Sequence, residues 1–141
     1  VNRWLVKTEP AEFSFADLER AGRTVWDGVR NATALIHLRR FRRGDQVLVY
    51  HSGRERRVVG VARVVRGPYA DPSLDEDRYV VVELEPVRGL ERPVPLREIK
   101  SDPACADFDL VRVPRLSVLP VPDRLWQRLV AWPSVVTPAS G

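Results

Sequence analysis

The sequence predicts an α+β fold, a small mixed β barrel with short helices packed around it. Three observations predict it. The aliphatic residues are rich in valine, which favours strands, while twelve prolines and eight glycines cut the chain into many short elements. Strand-like and helix-like stretches interleave along 141 residues, a length that suits one core and one domain spanning 1–141. No internal repeat, linker or low-complexity stretch interrupts them.

Arg3 to Thr8 reads as a first strand, stopped by Pro10. Ser14 stands three residues before Asp17, a capping box with Asp in the usual Glu place, and opens a short helix over Phe15 to Ala21 that Gly22 closes. Val25 to Asn31 reads as a loop. Residues 32 to 43 fit a helix in which Ala34, Leu38 and Phe41 form a narrow apolar stripe with Leu35 on its shoulder. Asn31 can cap its start, and Arg42-Arg43-Gly44 has the composition of its C-terminal end.

Gln46 to Tyr50 is a second strand, leading into a loop from His51 to Arg57. Val58 to Arg66 is apolar on both faces, as expected of a barrel wall, and Gly60 and Ala62 leave room on one face for a close neighbour. Tyr69-Ala70-Asp71-Pro72 makes a turn. Tyr79 to Glu85 alternates, with Val80, Val82 and Leu84 on one face and Val81, Glu83 and Glu85 on the other, so one face is expected to meet water. Pro93 to Lys100 reads as a short helix or turn, and Leu116 to Leu119 as a last strand beside the first. Asp123 can cap a final helix that aligns Leu125, Leu129 and Trp132, with Trp126 at its edge; Pro133 ends it and 137–141 form a loose tail. Trp4, Trp126 and Trp132 are assigned to the core.

Composition narrows the function classes. No apolar run approaches the roughly 20 residues that span a bilayer, and no signal-peptide core opens the chain, so a soluble, cytoplasmic monomer with no membrane partner is expected. Cys105 is the only cysteine, which excludes an intrachain disulfide and a cysteine-based metal site. With only His37 and His51 as further soft ligands, neither metal nor cofactor is expected. The formal charge is +4, and lysine occurs only at Lys7 and Lys100. Its distribution says more than its total. Arg39, Arg40, Arg42 and Arg43 are followed by Arg54, Arg56 and Arg57, whereas acids gather at Asp71 to Asp77 and Glu83 to Glu91, so one positive face can meet a polyanion. For Arg42 and Arg43, helix capping explains the same residues.

No nucleophile elbow, glycine-rich phosphate loop or metal-ligand spacing is present, although order alone leaves a spatial Ser14, His51 and Asp71 triad open. The pattern favours binding over catalysis. Val25-Trp26-Asp27-Gly28-Val29-Arg30-Asn31 holds an aromatic, a glycine, a guanidinium and an amide together, a mixture suited to a concave site for a flat ligand. The plainer reading makes Trp26 a core residue, Gly28 a turn and Asn31 a cap. Lys7 is either a solvent-facing strand residue or a pocket group. Tyr50 is a strand-end core aromatic or lines the pocket with His51 and Ser52; otherwise His51 is a loop histidine bonded to a backbone carbonyl.

The run Trp4-Leu5-Val6-Lys7-Thr8-Glu9-Pro10, then Phe13-Ser14, Asp17-Leu18 and the Trp26 to Asn31 stretch, resembles an EVE domain. Gly44-Asp45 leading to Tyr50-His51-Ser52, Tyr69-Ala70-Asp71-Pro72 and Arg115-Leu116-Ser117-Val118 continue the resemblance in order, so that it spans nearly the whole chain. It implies a PUA-like pseudobarrel. It also implies a non-catalytic module that recognises DNA or RNA carrying a modified base, foremost a modified cytosine such as 5-methylcytosine or 5-hydroxymethylcytosine.

The candidate ligand-binding residues are Lys7, Ser14, Trp26, Gly28, Val29, Arg30, Asn31, Tyr50, His51, Ser52, Tyr69 and Asp71; the candidate phosphate contacts are Arg39, Arg40, Arg54, Arg56 and Arg57. In the mechanism these residues allow, surface arginines hold phosphates and the target base leaves the stack. Trp26 stacks on it, contributing on the order of 1 to 3 kcal/mol. Asn31, Ser52 and the backbone at Gly28 and Val29 read its edge, while Arg30 holds the flanking phosphate or braces Asp71. The alternative is a sensor for a free nucleoside or nucleotide in the same pocket.

Overall fold

The computed structural model describes residues 1–132, so the helix stop expected at Pro133 and the tail at 137–141 lie outside the described residues. Along the chain come β1 (Arg3–Thr8), α1 (Phe15–Ala21), β2 (Thr24–Trp26), α2 (Ala32–Leu38), β3 (Gln46–His51), β4 (Arg57–Ala70) and β5 (Val80–Pro95). They are followed by α3 (Leu96–Ser101), a 3-10 turn (Pro103–Cys105), α4 (Asp109–Arg112), β6 (Val118–Pro120) and α5 (Asp123–Val130).

The strands form one mixed sheet in the order β2-β5-β4-β3-β1-β6. β4 and β5 are long and pair with several register shifts, the device by which a sheet bends out of plane. β1 and β3 run parallel, setting Lys7 opposite Tyr50 and Thr8 opposite His51. β6 closes on the other side of β1, with Val118 opposite Val6. The C-terminal ends of the parallel pair therefore deliver four polar or aromatic groups to one rim of the sheet. Under that rim lie Leu5, Val6, Leu48, Val49 and Val58, all buried.

Local signals set several elements. Ser14 Oγ accepts from the Asp17 backbone N–H at 3.0 Å and the Asp17 carboxylate accepts from the Ser14 N–H at 2.8 Å, the expected reciprocal box. Gly22 ends α1 with φ 75°, a conformation that glycine adopts without a steric cost. The space expected beside Gly60 is filled: the Phe15 ring packs onto it so closely that an added Cβ would sit 2.6 Å from two ring carbons.

Other expectations need correction. Trp26 is a strand residue, not a loop residue, because β2 pairs with the start of β5 and sets Trp26 opposite Val82. α2 stops at Leu38 instead of reaching residue 43. The cause is Asp45, only 3% exposed, whose carboxylate accepts from Asn2 N at 3.1 Å, Trp4 Nε1 at 2.9 Å and Arg42 N at 2.9 Å. Those bonds hold residues 39–45 in turns, and Phe41 leaves the helix to stack on Trp4 at 4.7 Å.

From Val81 to Leu84 both faces of β5 are covered. Glu83, expected to face water, is 8% exposed and accepts from Tyr69 Oη at 2.6 Å, with Arg23 at 2.7 Å and Arg66 at 3.3 Å. β5 also runs through Pro93 to Pro95 before α3 begins. At α5 the N-cap is Pro122, and Asp123, in the first turn, pairs with Arg3 at 2.9 Å. Trp126 is buried, not at the helix edge, whereas Trp132 lies past the helix and is half-buried, donating to Glu98 at 2.9 Å.

Candidate nucleic-acid interface

Two clefts open at the rim where β1 and β3 end, and Lys7 lines both. The first, about 520 Å³, is bounded by Lys7, Thr8, Glu9, Glu12 and Phe13 on one side and by Thr24 to Gly28 on the other. Its aromatic wall is Trp26, 8% exposed, with Phe13 edge-on to it at 6.2 Å. The indole offers the cleft a strip of its surface and not an open face. Gly28, at φ 80°, turns the chain after β2, a conformation that side chains disfavour. The charged groups here are three carboxylates, Glu9, Glu12 and Asp27, against the Lys7 ammonium.

The second cleft, about 320 Å³, lies between the same strand ends and α3, and Lys7, Tyr50, Ser52, Arg56 and Lys100 line it. Its charged side chains are all cationic. The Lys7 ammonium donates to the Pro114 carbonyl at 2.7 Å, and burial lowers its pKa from the ordinary lysine value. Tyr50 packs its ring 5.5 Å from that ammonium, and burial raises its pKa, which keeps the hydroxyl protonated.

The structure thus brings Lys7, Trp26 and Gly28 to one cleft and Lys7, Tyr50, Ser52 and Arg56 to the other. The remaining candidates line neither, and most of their polar atoms are engaged. Ser14 Oγ caps α1, and Asn31 Oδ1 caps α2 by accepting from Ala34 N at 2.9 Å. His51, buried, accepts from the Phe15 N–H at its Nε2, 3.0 Å away, so its proton sits on Nδ1 and is donated to Glu55 at 2.8 Å. It binds a backbone amide and not the expected carbonyl.

Val29 is buried. Arg30 lies over the Tyr79 ring at 4.7 Å, and Tyr69 is held by Glu83. Asp71 closes a turn by accepting from Ser73 N at 2.9 Å and Ser73 Oγ at 2.7 Å, and those bonds, with the Arg30 charge as a smaller contribution, hold its pKa below the ordinary aspartate value. With these three side chains bonded elsewhere, Ser14, His51 and Asp71 form no triad.

Among the candidate phosphate contacts, Arg57 pairs with Glu55 at 3.1 Å, and Arg39 donates to the Arg78 carbonyl at 2.8 Å. Arg54 and Arg56 are exposed beside the two clefts, whereas Arg40 lies by the N-terminal strand. Sequence reasoning missed Glu9, Glu12 and Phe13 in the first cleft and Lys100 in the second. Lysine rarity in an arginine-rich chain, applied to Lys7 alone, is the one signal that could have found Lys100.

Comparison with known proteins identifies the architecture. A sequence model of the EVE domain matches residues 2–132. The chain belongs to the EVE domain family. Its curled six-stranded sheet with short helices is accordingly a PUA-like half-barrel. It is similar to human thymocyte nuclear protein 1, 32% identical over a match covering 71% of this chain and 56% of that protein. The chain spans about half the length of the curated relatives it matches. Among solved structures, Rpa0253 from Rhodopseudomonas palustris superposes with a TM-score of 0.88 at 36% identity, covering 92% of this chain and 91% of that one. Human THYN1, solved in complex with 5-methylcytosine containing DNA, superposes with a TM-score of 0.85 at 28% identity, covering 93% of this EVE domain and 96% of that chain.

Proposed function

We propose that this EVE domain is a binding module that takes a modified cytosine, extruded from a nucleic-acid strand, into the cleft beside Trp26. The observation that carries the reading is the chemistry of that cleft: an aromatic edge, three carboxylates and one ammonium. Carboxylates accept from the exocyclic amine of cytosine, and they repel phosphate. The cleft therefore favours the base and leaves its backbone outside, where Arg54 and Arg56 are exposed. The human THYN1 complex with 5-methylcytosine containing DNA supports the choice of ligand.

Extrusion is required because an aromatic wall set in a cleft does not reach a base inside a duplex. Phe13 must swing aside for the indole to present a face to the base. Flipping costs a few kcal/mol, so single strands and mismatches bind more tightly than matched duplex. One buried methyl contributes about 0.8 kcal/mol, which is roughly a fourfold preference over plain cytosine.

Anisotropy titrations of matched oligonucleotides carrying cytosine, 5-methylcytosine or 5-hydroxymethylcytosine test this at several salt concentrations. A preference of a few-fold that disappears in a folded Trp26→Ala variant is expected. Equal affinity for all three reduces the protein to a nonspecific binder. The module is proposed to bind without turnover, so mass spectrometry after incubation returns the modified base unchanged. A free nucleoside has the same chemistry as the extruded base. If nucleosides raise the melting temperature and oligonucleotides do not, the polymer reading is lost in favour of a sensor.

A further inference from the structure

The cationic cleft next to the Trp26 cleft has no part in reading the base, and every charged side chain that lines it is a cation. The two lysines of the chain, distant in sequence, meet there with Arg56. Among the described residues none of the three forms an ion pair with a carboxylate, whereas eleven arginines elsewhere do. Arg56 holds φ at 48°, a left-handed conformation that costs free energy for a residue with a Cβ, and its carbonyl is fixed by Leu96 N at 2.8 Å. Lys7 spends one of three ammonium donors on the Pro114 carbonyl and keeps two. Tyr50 is buried, and among the described residues its hydroxyl has no protein partner. Ser52 completes the polar wall.

We propose that this cleft is a phosphate site, in which Lys7, Arg56 and Lys100 hold a phosphodiester of the same strand whose base enters the neighbouring cleft. The inference rests on the base-binding reading for the identity of the strand, and on its own residues for the anion. Three cations without acids concentrate positive potential in a walled space, where it is screened less than on an open surface. The shared Lys7 side chain sets the spacing. A base and its phosphate are separated by one sugar, and two clefts with a common wall suit that separation. The acidic cleft excludes the phosphate and the cationic cleft attracts it, so the pair fixes which end of the nucleotide goes where.

The test is anisotropy with labelled single-stranded DNA carrying one 5-methylcytosine, between 50 and 200 mM salt, for the wild type, Lys100→Gln, Arg56→Gln and a control, Arg88→Gln, whose side chain lines neither cleft. Each phosphate contact contributes about 0.7 to the slope of log affinity against log salt on single strands. Lys100→Gln and Arg56→Gln are each expected to flatten the slope by about 0.7 and to weaken binding about fivefold at 0.1 M salt. Arg88→Gln leaves both within error, and the ratio of modified to plain cytosine affinity stays at its wild-type value in all three. Inorganic phosphate, replacing chloride at equal ionic strength, weakens the wild type more than Lys100→Gln.

An unchanged slope in Lys100→Gln, or an equal loss in Arg88→Gln, overturns the phosphate site while leaving base recognition standing. Equal wild-type affinity for modified and plain cytosine, with the slope changes as expected, overturns base recognition and keeps the phosphate site. A nucleoside 5′-monophosphate that stabilises the protein against heat where single-stranded DNA does not would assign the cleft to a free nucleotide, and the strand contact fails.

Discussion

Replacing Gly60 with alanine tests how the site is supported. Gly60 does not occupy the left-handed region, so its backbone accommodates alanine, but the new Cβ would meet Phe15 Cε1 and Cζ at 2.6 Å and Cδ1 at 2.8 Å. Carbon atoms normally approach to about 3.5–4.0 Å, so the ring must retreat by about 1 Å. It has nowhere easy to go. Phe15 is 5% exposed, and its own N–H is bonded to His51 Nε2 at 3.0 Å, so its displacement pulls on the strand end that carries Tyr50 and Ser52.

Overpacking of this kind costs about 1–3 kcal/mol, and the loss of glycine freedom in the unfolded chain returns about 0.4–1 kcal/mol. A net loss of about 1.5 kcal/mol is expected. With a urea dependence near 1–3 kcal/mol per molar, the unfolding midpoint falls by about 0.5–1.5 M. Phe15→Leu in the Gly60→Ala background removes the clashing ring atoms, so the double variant is expected to be less destabilised than the sum of the two single changes. A Gly60→Ala midpoint within about 0.2 M of the wild type, or strict additivity in the double variant, would refute the contact as the reason for glycine at this position.

Further outcomes follow from other buried polar groups. Asp45→Asn leaves one oxygen for an acceptor set that serves three donors, so unfolding by denaturant should show a loss of about 1–3 kcal/mol; a loss under 0.5 kcal/mol would mean the turn after α2 does not depend on it. Glu98 has its pKa held below the ordinary glutamate value, first by its hydrogen bonds to Arg92 and then by Trp132 Nε1. A depressed carboxylate contributes stability that is complete above the unfolded pKa, near 4.5, and is lost as pH falls through the folded value. Glu98→Gln should therefore be destabilised at pH 7 and approach the wild type below pH 4; a constant difference across that window would remove the ionic part of the interaction.

Much of the fold was legible in sequence because its signals act between near neighbours. The Ser14 and Asp17 box, the Asn31 cap and the glycine that ends α1 all operate within a few residues of the backbone they shape. Order along the chain also carried the family. The early end of α2 was not legible, since it follows from Asp45 meeting Trp4 and Asn2 across the sheet, and neither is a sequence neighbour.

The candidate site divided along the same line. Sequence placed an indole, a glycine, a lysine and the Tyr50 to Ser52 segment among the binding groups, because an unusual mixture of residue types is visible without coordinates. Only the tertiary structure decided that Trp26 belongs to a strand and shows an edge, that Lys7 stands between an acidic cleft and a cationic one, and that Lys100 joins it. It also decided that Ser14, Asn31, His51 and Asp71 already have partners. A side chain's chemistry is written in its type, but whether its polar atoms remain free for a ligand depends on every group the fold places within hydrogen-bond distance, and those groups come from all parts of the chain.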